Sequence, residues 1–348
     1  MDDMPCRGGW RFHLGPLGLD ERKHQGVMVQ AGGSVAVLFG ILRPVPNSCR
    51  KLGYSPWRCS TAIRRLMTDL FDFKNRRLRF AVVGHPVMHS KSPQIHEAFA
   101  RQCNVSLSYE AIALDPIAFE QGVRNLQAGG MAGLNVTLPF KEAAFGLCDE
   151  VSERARIANA VNTLTFLGGD QLAGDNTDGI GLVRDLQQNL KISCADARVL
   201  VVGAGGAARG IVQPLLQTGP ARLVITNRTA SRARELAGSM GSPDRVYSCA
   251  LDEVSDSFDL VINATAASLS SEVPALPESV FHSQSHAYDL AYADQPTAFM
   301  RWALALGVAQ AVDGLGMLVE QAAEAFWIWH RQRPQTAPVI SALRSGAR

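Results

Sequence analysis

The stretch Val199-Leu200-Val201-Val202-Gly203-Ala204-Gly205-Gly206-Ala207-Ala208-Arg209 decides the fold of this 348-residue chain. Four consecutive apolar residues read as a strand buried on both faces of a parallel sheet. The glycines after it let the backbone come close to an anion. Residues 207–216 then read as a helix whose free N–H groups and dipole hold that anion. A GxGxxG pattern alone is weak evidence, and Ala208 stands where the third glycine belongs. The context strengthens it: a second apolar strand at 223–226 completes a strand–helix–strand unit of the kind that binds a dinucleotide.

The end of that second strand distinguishes the dinucleotides. An NAD site places Asp or Glu there, to accept hydrogen bonds from the ribose 2′-hydroxyl. This chain has Asn227-Arg228-Thr229, then Arg232 and Arg234, and its first carboxylate is Glu235. A carboxylate repels a 2′-phosphate, whereas a guanidinium pairs with it bidentately. The expected cofactor is therefore NADP, with Arg228 placed to attract the 2′-phosphate.

Working outward, the composition is that of a globular protein, with 47% apolar and 19% charged residues. The net charge of +2 conceals an asymmetry. Residues 1–77 carry 13 Lys and Arg against 6 Asp and Glu, and the remainder carries 21 against 26. The acidic body has no nucleic-acid footprint. Seven cysteines are scattered without a CxxC pair, which argues against a disulfide framework or zinc site and points to a reducing, cytoplasmic compartment. The uncharged run 25–42 contains Gln25, Gln30, Gly32, Gly33 and Ser34 and is too polar for a membrane span. It also lies too far into the chain, behind mixed residues, for a signal peptide.

Residues 1–77 lack sustained periodicity. They read as a disordered segment, as residues upstream of a true start at Met67, or as an appendage of unread role. Order begins at 78–84, a strand ending in glycine. Helix 93–103, strand 107–113, helix 116–126, strand 131–137, helix 141–147 and strand 160–166 follow. Strands at 258–263 and 287–290 continue the nucleotide fold, and 317–330 reads as a long helix. Alternating strands and helices predict an α/β protein with mostly parallel sheets.

Three polar clusters precede the glycine turn. In His89-Ser90-Lys91-Ser92-Pro93, Ser92 before Pro93 suits a helix N-cap. In Asn135-Val136-Thr137-Leu138-Pro139-Phe140-Lys141, Asn135 and Thr137 share one strand face. Lys141 then opens a helix, where its charge opposes the macrodipole. In Gly174-Asp175-Asn176-Thr177-Asp178-Gly179, Asp178 can cap a helix and Asp175 can serve a turn, but neither role explains the whole cluster. His85 and His89 are four apart with Pro86 between them, so no helix aligns them on a metal, and no metal site is expected.

Together these stretches resemble the shikimate dehydrogenase family over residues 78–345. The resemblance also includes Gly84-His85-Pro86, Ala160-Val161-Asn162-Thr163 and Asp313-Gly314-Leu315-Gly316-Met317-Leu318. It implies a small α/β substrate-binding domain, 78–178 plus 314–348, and a Rossmann-type NADP domain, 179–313, with 1–77 outside the family's motifs. It implies reversible, NADPH-dependent reduction of 3-dehydroshikimate to shikimate in aromatic amino-acid biosynthesis. The catalytic positions carried over are Lys141 and Asp178, which flank the reacting oxygen; which of them transfers the proton stays open. The substrate positions are Ser90, Ser92, Thr137, Asn162, Asp178, Tyr292 and Gln321. The cofactor positions are Gly203, Ala204, Gly205, Gly206, Ala207, Asn227, Arg228, Thr229, Arg232, Leu290, Gly314 and Met317, with Glu153 towards the nicotinamide side.

Two departures stand out. After Asn263-Ala264-Thr265 the family usually has glycine three positions on, and this chain has Ala266-Ala267-Ser268. Thr297 is followed by Ala298 where proline is common. The alternatives are an NAD-using quinate/shikimate dehydrogenase and a non-catalytic nucleotide-binding regulator. The first expects an acidic residue at the end of the second strand, and the second expects Lys141 or Asp178 to be lost. The expected partners are the small-molecule substrate and cofactor alone, with no nucleic acid or membrane, in a monomer or homodimer.

Overall fold

The computed structural model describes residues 11–13, 27–31, 34–38 and 77–346, in two compact units, Met1–Phe73 and Lys74–Arg348. In the first unit, β1 (Arg11–His13), β2 (Val27–Ala31) and β3 (Ser34–Leu38) pair antiparallel in that order. Met67, and residues 25–26, 32–33 and 39–42 of the uncharged run 25–42, lie outside the described residues.

The second unit opens with β4 (Leu78–Gly84), α1 (Ser92–Cys103) and β5 (Leu107–Ala113). Then come α2 (Phe119–Ala128), β6 (Gly133–Val136), α3 (Lys141–Leu147), β7 (Glu150–Val151) and α4 (Glu153–Ala158). The sheet closes with β8 (Thr163–Phe166) and β9 (Leu172–Asp175), in the order β5-β4-β6-β8-β9-β7. Strand alternation sorts the core: Ala81 and Val83 of β4 pack with Phe119, Val123 and Phe140, while Phe80 packs with Ile95 and Phe99 of α1.

The sheet is mostly parallel, as expected, with β8 alone running antiparallel to its neighbours β6 and β9. Several local expectations are corrected. Ser92 is not the cap of α1; the cap position is Lys91, and the Ser92 N–H donates to Ser90 Oγ at 3.2 Å. The expected helix 116–126 divides into a single 3₁₀ turn, Pro116–Ala118, and α2. Strand 160–166 begins only at Thr163, because Val161 and Asn162 donate their N–H groups to Lys141 and Asp175 carbonyls across the fold. Thr177, not Asp178, holds the cap position of α5 (Asp178–Arg184).

The nucleotide-type sheet contains β10 (Arg198–Val202), β11 (Arg222–Asn227), β12 (Val246–Ala250), β13 (Leu260–Asn263), β14 (His286–Asp289) and β15 (Gln310–Asp313). All are parallel, in the order β12-β11-β10-β13-β14-β15. The chain reverses direction across the sheet between β10 and β13, so a crevice opens beyond their carboxyl ends. Helices α6 (Gly206–Gln217), α7 (Ala230–Ser239) and α8 (Ala298–Ala305) cover it. Val199 and Val201 face Leu182, Ile211 and Leu215; Leu200 and Val202 face Phe258, Phe299 and Ala303. Strands β12 and β15 and helices α4, α7 and α8 carried no sequence expectation.

Helix α9 (Leu315–His330) returns from β15 to the first sheet, where Val319, Ala323 and Phe326 join Phe80 and Phe99 in one core, and α10 (Ala337–Arg344) ends the described chain. No helix among the described residues is long and apolar enough to cross a membrane.

Candidate active site

A cleft of about 960 Å³ lies between the carboxyl ends of the two sheets. The glycine turn forms one wall. Gly203 has φ +121°, which a side chain rarely adopts, and a Cβ there would sit 2.9 Å from the Ala264 carbonyl oxygen. Gly205 precedes α6 in extended geometry with open space around it, so the first N–H groups of α6 face the cleft. The exposed Arg228 and Arg232 lie at the far end, beyond Asn227, whose Nδ2 donates to the Thr229 carbonyl at 3.0 Å. The nearest following carboxylate, Glu235, faces away: it accepts from Arg209 at 2.6 Å, whose hydrogen bond and charge lower its pKa. Leu290, Gly314 and Met317 complete this side. An open cradle at a helix N-terminus, with free guanidiniums where an NAD site has a carboxylate, fits NADP.

The opposite wall is polar. Lys141 occupies the first turn of α3, and its charge is answered by Asp178 of α5, Nζ to Oδ2 2.6 Å. The Asp178 side chain is 1% exposed and that of Lys141 12%, so the pair is largely withdrawn from water. The lysine stem packs against the glycine turn, since a Cβ on Gly206 would lie 3.2 Å from Lys141 Cβ. Asp178 is held at its other oxygen by Asn162 Nδ2, at 2.9 Å. The same amide nitrogen approaches Gln321 Oε1 at 3.1 Å, and Asn162 Oδ1 accepts the Thr177 N–H at 2.9 Å. Asn176 Oδ1 in turn accepts the Asp178 N–H at 3.1 Å. The GDNTDG cluster is thus a scaffold around one carboxylate, and its Asp175 forms a two-pronged pair with Arg154, at 2.6 and 2.9 Å.

Ser90 and Ser92 stand at the entrance of α1 with their hydroxyls 3.1 Å apart. Burial pushes the Tyr292 phenol up in pKa, against hydrogen bonds from the Lys91 backbone and Ser90. Tyr292 therefore stays a protonated donor at neutral pH. Thr137 lines the cleft beside Asn135, whose amide is consumed internally: its Oδ1 accepts from Tyr109 at 2.7 Å, and its Nδ2 donates to Thr163 at 3.1 Å.

The structure brings every expected site residue to this cleft except Glu153. Glu153 opens α4 and borders a separate crevice with Arg209, Gln213 and Pro214. The cleft also contains a wall that the sequence analysis assigned to no site, Ala264 to Ala267 and Glu272 to Ala275. Its signal was the Asn263-Ala264-Thr265 triplet directly after β13. Among the described residues no cluster of three or more potential metal-binding side chains occurs.

Comparison with known proteins decides the family. The shikimate dehydrogenase substrate binding domain family matches residues 82–164. The shikimate / quinate 5-dehydrogenase family matches 185–277, and the shikimate 5′-dehydrogenase C-terminal domain family matches 314–344. A shikimate dehydrogenase (NADP(+)) of Herminiimonas arsenicoxydans is 51% identical over 267 residues, 77% of this chain and 97% of that protein. The chain belongs to the shikimate dehydrogenase family. Among solved structures of similar fold, an Ael1 enzyme from Pseudomonas putida superposes with a TM-score of 0.71 at 45% identity, covering 76% of this chain and 98% of its own. The shikimate 5-dehydrogenase of Thermus thermophilus, solved in complex with NADP(H) and shikimate, gives 0.69 at 35% identity, covering 77% and 99%. The family matches begin at residue 82, so residues 1–77 lie outside the matched segments.

Proposed function

We propose that this chain is an NADP-dependent shikimate dehydrogenase, reversibly reducing the ketone of 3-dehydroshikimate to the alcohol of shikimate. The observation that carries this reading is the withdrawn Lys141–Asp178 pair, 2.6 Å apart and packed against the glycine turn. NADPH, when bound along 203–207 with its 2′-phosphate at Arg228 and Arg232, supplies the hydride. A ketone oxygen that gains negative charge requires a proton donor or cation at hydrogen-bond distance. Lys141 Nζ provides it on the side facing the turn, and Asp178 holds the ammonium in place through Oδ2 while Asn162 steadies Oδ1.

A small carboxylate with several hydroxyls needs short hydroxyl and amide partners. Ser90, Ser92, Thr137 and Tyr292 supply hydroxyls, and Asn162 and Gln321 supply amides. We assign substrate binding to 78–178 with 314–348 and cofactor binding to 179–313. The reading extends to a cytoplasmic monomer or homodimer that needs no nucleic-acid or membrane partner. The test follows NADPH consumption with 3-dehydroshikimate, beside parallel reactions with NADH and, in the oxidative direction, with quinate. Turnover confined to NADPH and the shikimate pair is expected. Absence of turnover, or preference for NADH and quinate, refutes the reading.

A further inference from the structure

Ser268, one of the departures from the family pattern, and Thr297 converge on one buried carboxylate. Asp289 ends β14 and is fully buried. Its Oδ2 accepts Ser268 Oγ at 2.5 Å and Thr297 Oγ1 at 2.6 Å. Its Oδ1 accepts Asn263 Nδ2 at 3.1 Å and the Ala291 N–H at 3.1 Å. None of these partners is charged. Burial raises the Asp289 pKa, and the four donors work against that rise. The partners close a ring. Asn263 Oδ1 accepts both the N–H and the hydroxyl of Thr265, at 3.1 and 2.7 Å; Thr265 Oγ1 accepts the Ala267 N–H at 3.2 Å; Ser268 follows and returns to Asp289.

The ring joins two segments of the cofactor wall. Ala264, Thr265, Ala266 and Ala267 line the cleft after β13, and Leu290, Ala291 and Tyr292 line it after β14. Ser268 itself does not line the cleft, and the glycine the family usually places here could not make its bond. We propose that Ser268 is a positioning residue: through Asp289 it sets the spacing of these two segments and so shapes the dinucleotide site. This inference rests on the cofactor assignment above but not on the identity of the second substrate.

The test titrates NADPH by fluorescence against the full chain without second substrate, and measures both KM values separately. Ser268→Ala removes the hydroxyl and is expected to weaken NADPH about tenfold, the scale of one hydrogen bond to a charged group. The KM for 3-dehydroshikimate should change far less, and Ser268→Thr should restore binding. Asp289→Asn takes the charge from this contact and from those with Asn263, Thr297 and Ala291, so it should weaken NADPH at least as much. Adding Ser268→Ala to it should cost less than the sum of the two single losses, since the changes share one contact. Unchanged NADPH affinity in Ser268→Ala, or equal loss for both ligands without rescue by Thr, overturns the proposal. If Asp289→Asn does not fold, the Ala and Thr variants at Ser268 decide alone. Wild-type protein that binds NADPH but turns over no 3-dehydroshikimate would sink the substrate reading and leave this one standing.

Discussion

Replacement of Glu324 by Gln should cost about 2–3 kcal/mol of folding stability at neutral pH, and the loss should vanish in acid. Glu324 lies on the inner face of α9 with a side chain 4% exposed. It accepts from Arg333 at 2.7 Å, Arg184 at 2.8 Å and Arg154 at 3.2 Å. Burial alone pushes its carboxyl up, but the three guanidiniums reverse that and hold the pKa at about 2, against an ordinary 4.5. A displacement of that size is worth about 3 kcal/mol in the folded state, reduced somewhat because Arg333 is partly solvated. The folded pKa is depressed, so the contribution is complete above the unfolded value and is lost as pH falls from about 4.5 towards about 2. Urea unfolding of wild type and Glu324→Gln at a series of pH values measures it directly. The difference at pH 7 should shrink steadily below about pH 4.5, and the variant should melt roughly 5–10 °C lower at neutral pH. A pH-independent difference, or one below about 0.5 kcal/mol at pH 7, would refute the reasoning. Gln321 lies on the same helix one turn away, so a loosened α9 should also raise the KM for the hydroxylated substrate.

Other consequences are as direct. Lys141→Ala should lower kcat at least about a hundredfold with little change in KM, the scale of losing one acid–base or oxyanion group; near-wild-type kcat would remove Lys141 from the mechanism. Arg228→Ala should weaken NADPH about 10- to 150-fold while leaving NADH nearly unchanged, because only NADPH carries the 2′-phosphate. Equal losses for both would make Arg228 structural. A chain beginning at Met67 should keep full activity and melting temperature, since every motif of the site follows residue 78; a fall of several degrees or lost turnover would make the preceding residues part of the working fold.

The nucleotide half was legible in the sequence where strands are buried on both faces. The runs at 199–202 and 223–225 are continuous in apolar residues; β10 adds Arg198 at the start of the first, and β11 extends the second from Arg222 to Asn227. Strands β12 and β15 were not legible: Val246-Tyr247-Ser248-Cys249-Ala250 and Gln310-Ala311-Val312-Asp313 are edge strands, half-exposed and short of apolar pattern. The antiparallel turn of β8 was hidden for a different reason. No local signal distinguishes a strand that reverses from one that continues, and the pairing is decided by β9, whose Leu172-Ala173-Gly174-Asp175 has weak strand propensity. The clusters around Ser90, Lys141 and Asp178 were legible because polar groups interrupt apolar elements there, whereas Asn162, Tyr292, Gln321, Leu290, Gly314 and Met317 entered the site through the family resemblance alone. The Asp289 ring was not, because its five side chains, Asn263, Thr265, Ser268, Asp289 and Thr297, are spread over 35 residues and only strand pairing brings Asn263 beside Asp289.

Lys141 shows how a local misfit in sequence becomes a statement about a site. An ammonium in the first turn of a helix opposes the dipole, and an aspartate withdrawn from water is costly unless paired. Each is unfavourable alone, and α3 and α5 bring them together from 37 residues apart. Pairing offsets the desolvation only in part, since buried ion pairs contribute little net stability compared with apolar residues of the same volume. The surrounding residues are committed to keeping the pair: Asn162 donates to Asp178 Oδ1, Asn176 accepts the Asp178 N–H, and Thr177 holds Asn162 in place. The Lys141 stem reaches the glycine turn. A fold selected for stability alone would fill this junction with leucine. One that keeps a rigid, largely desolvated cation between a dinucleotide cradle and a row of hydroxyls is arranged to stabilise negative charge at the point where the two ligands meet.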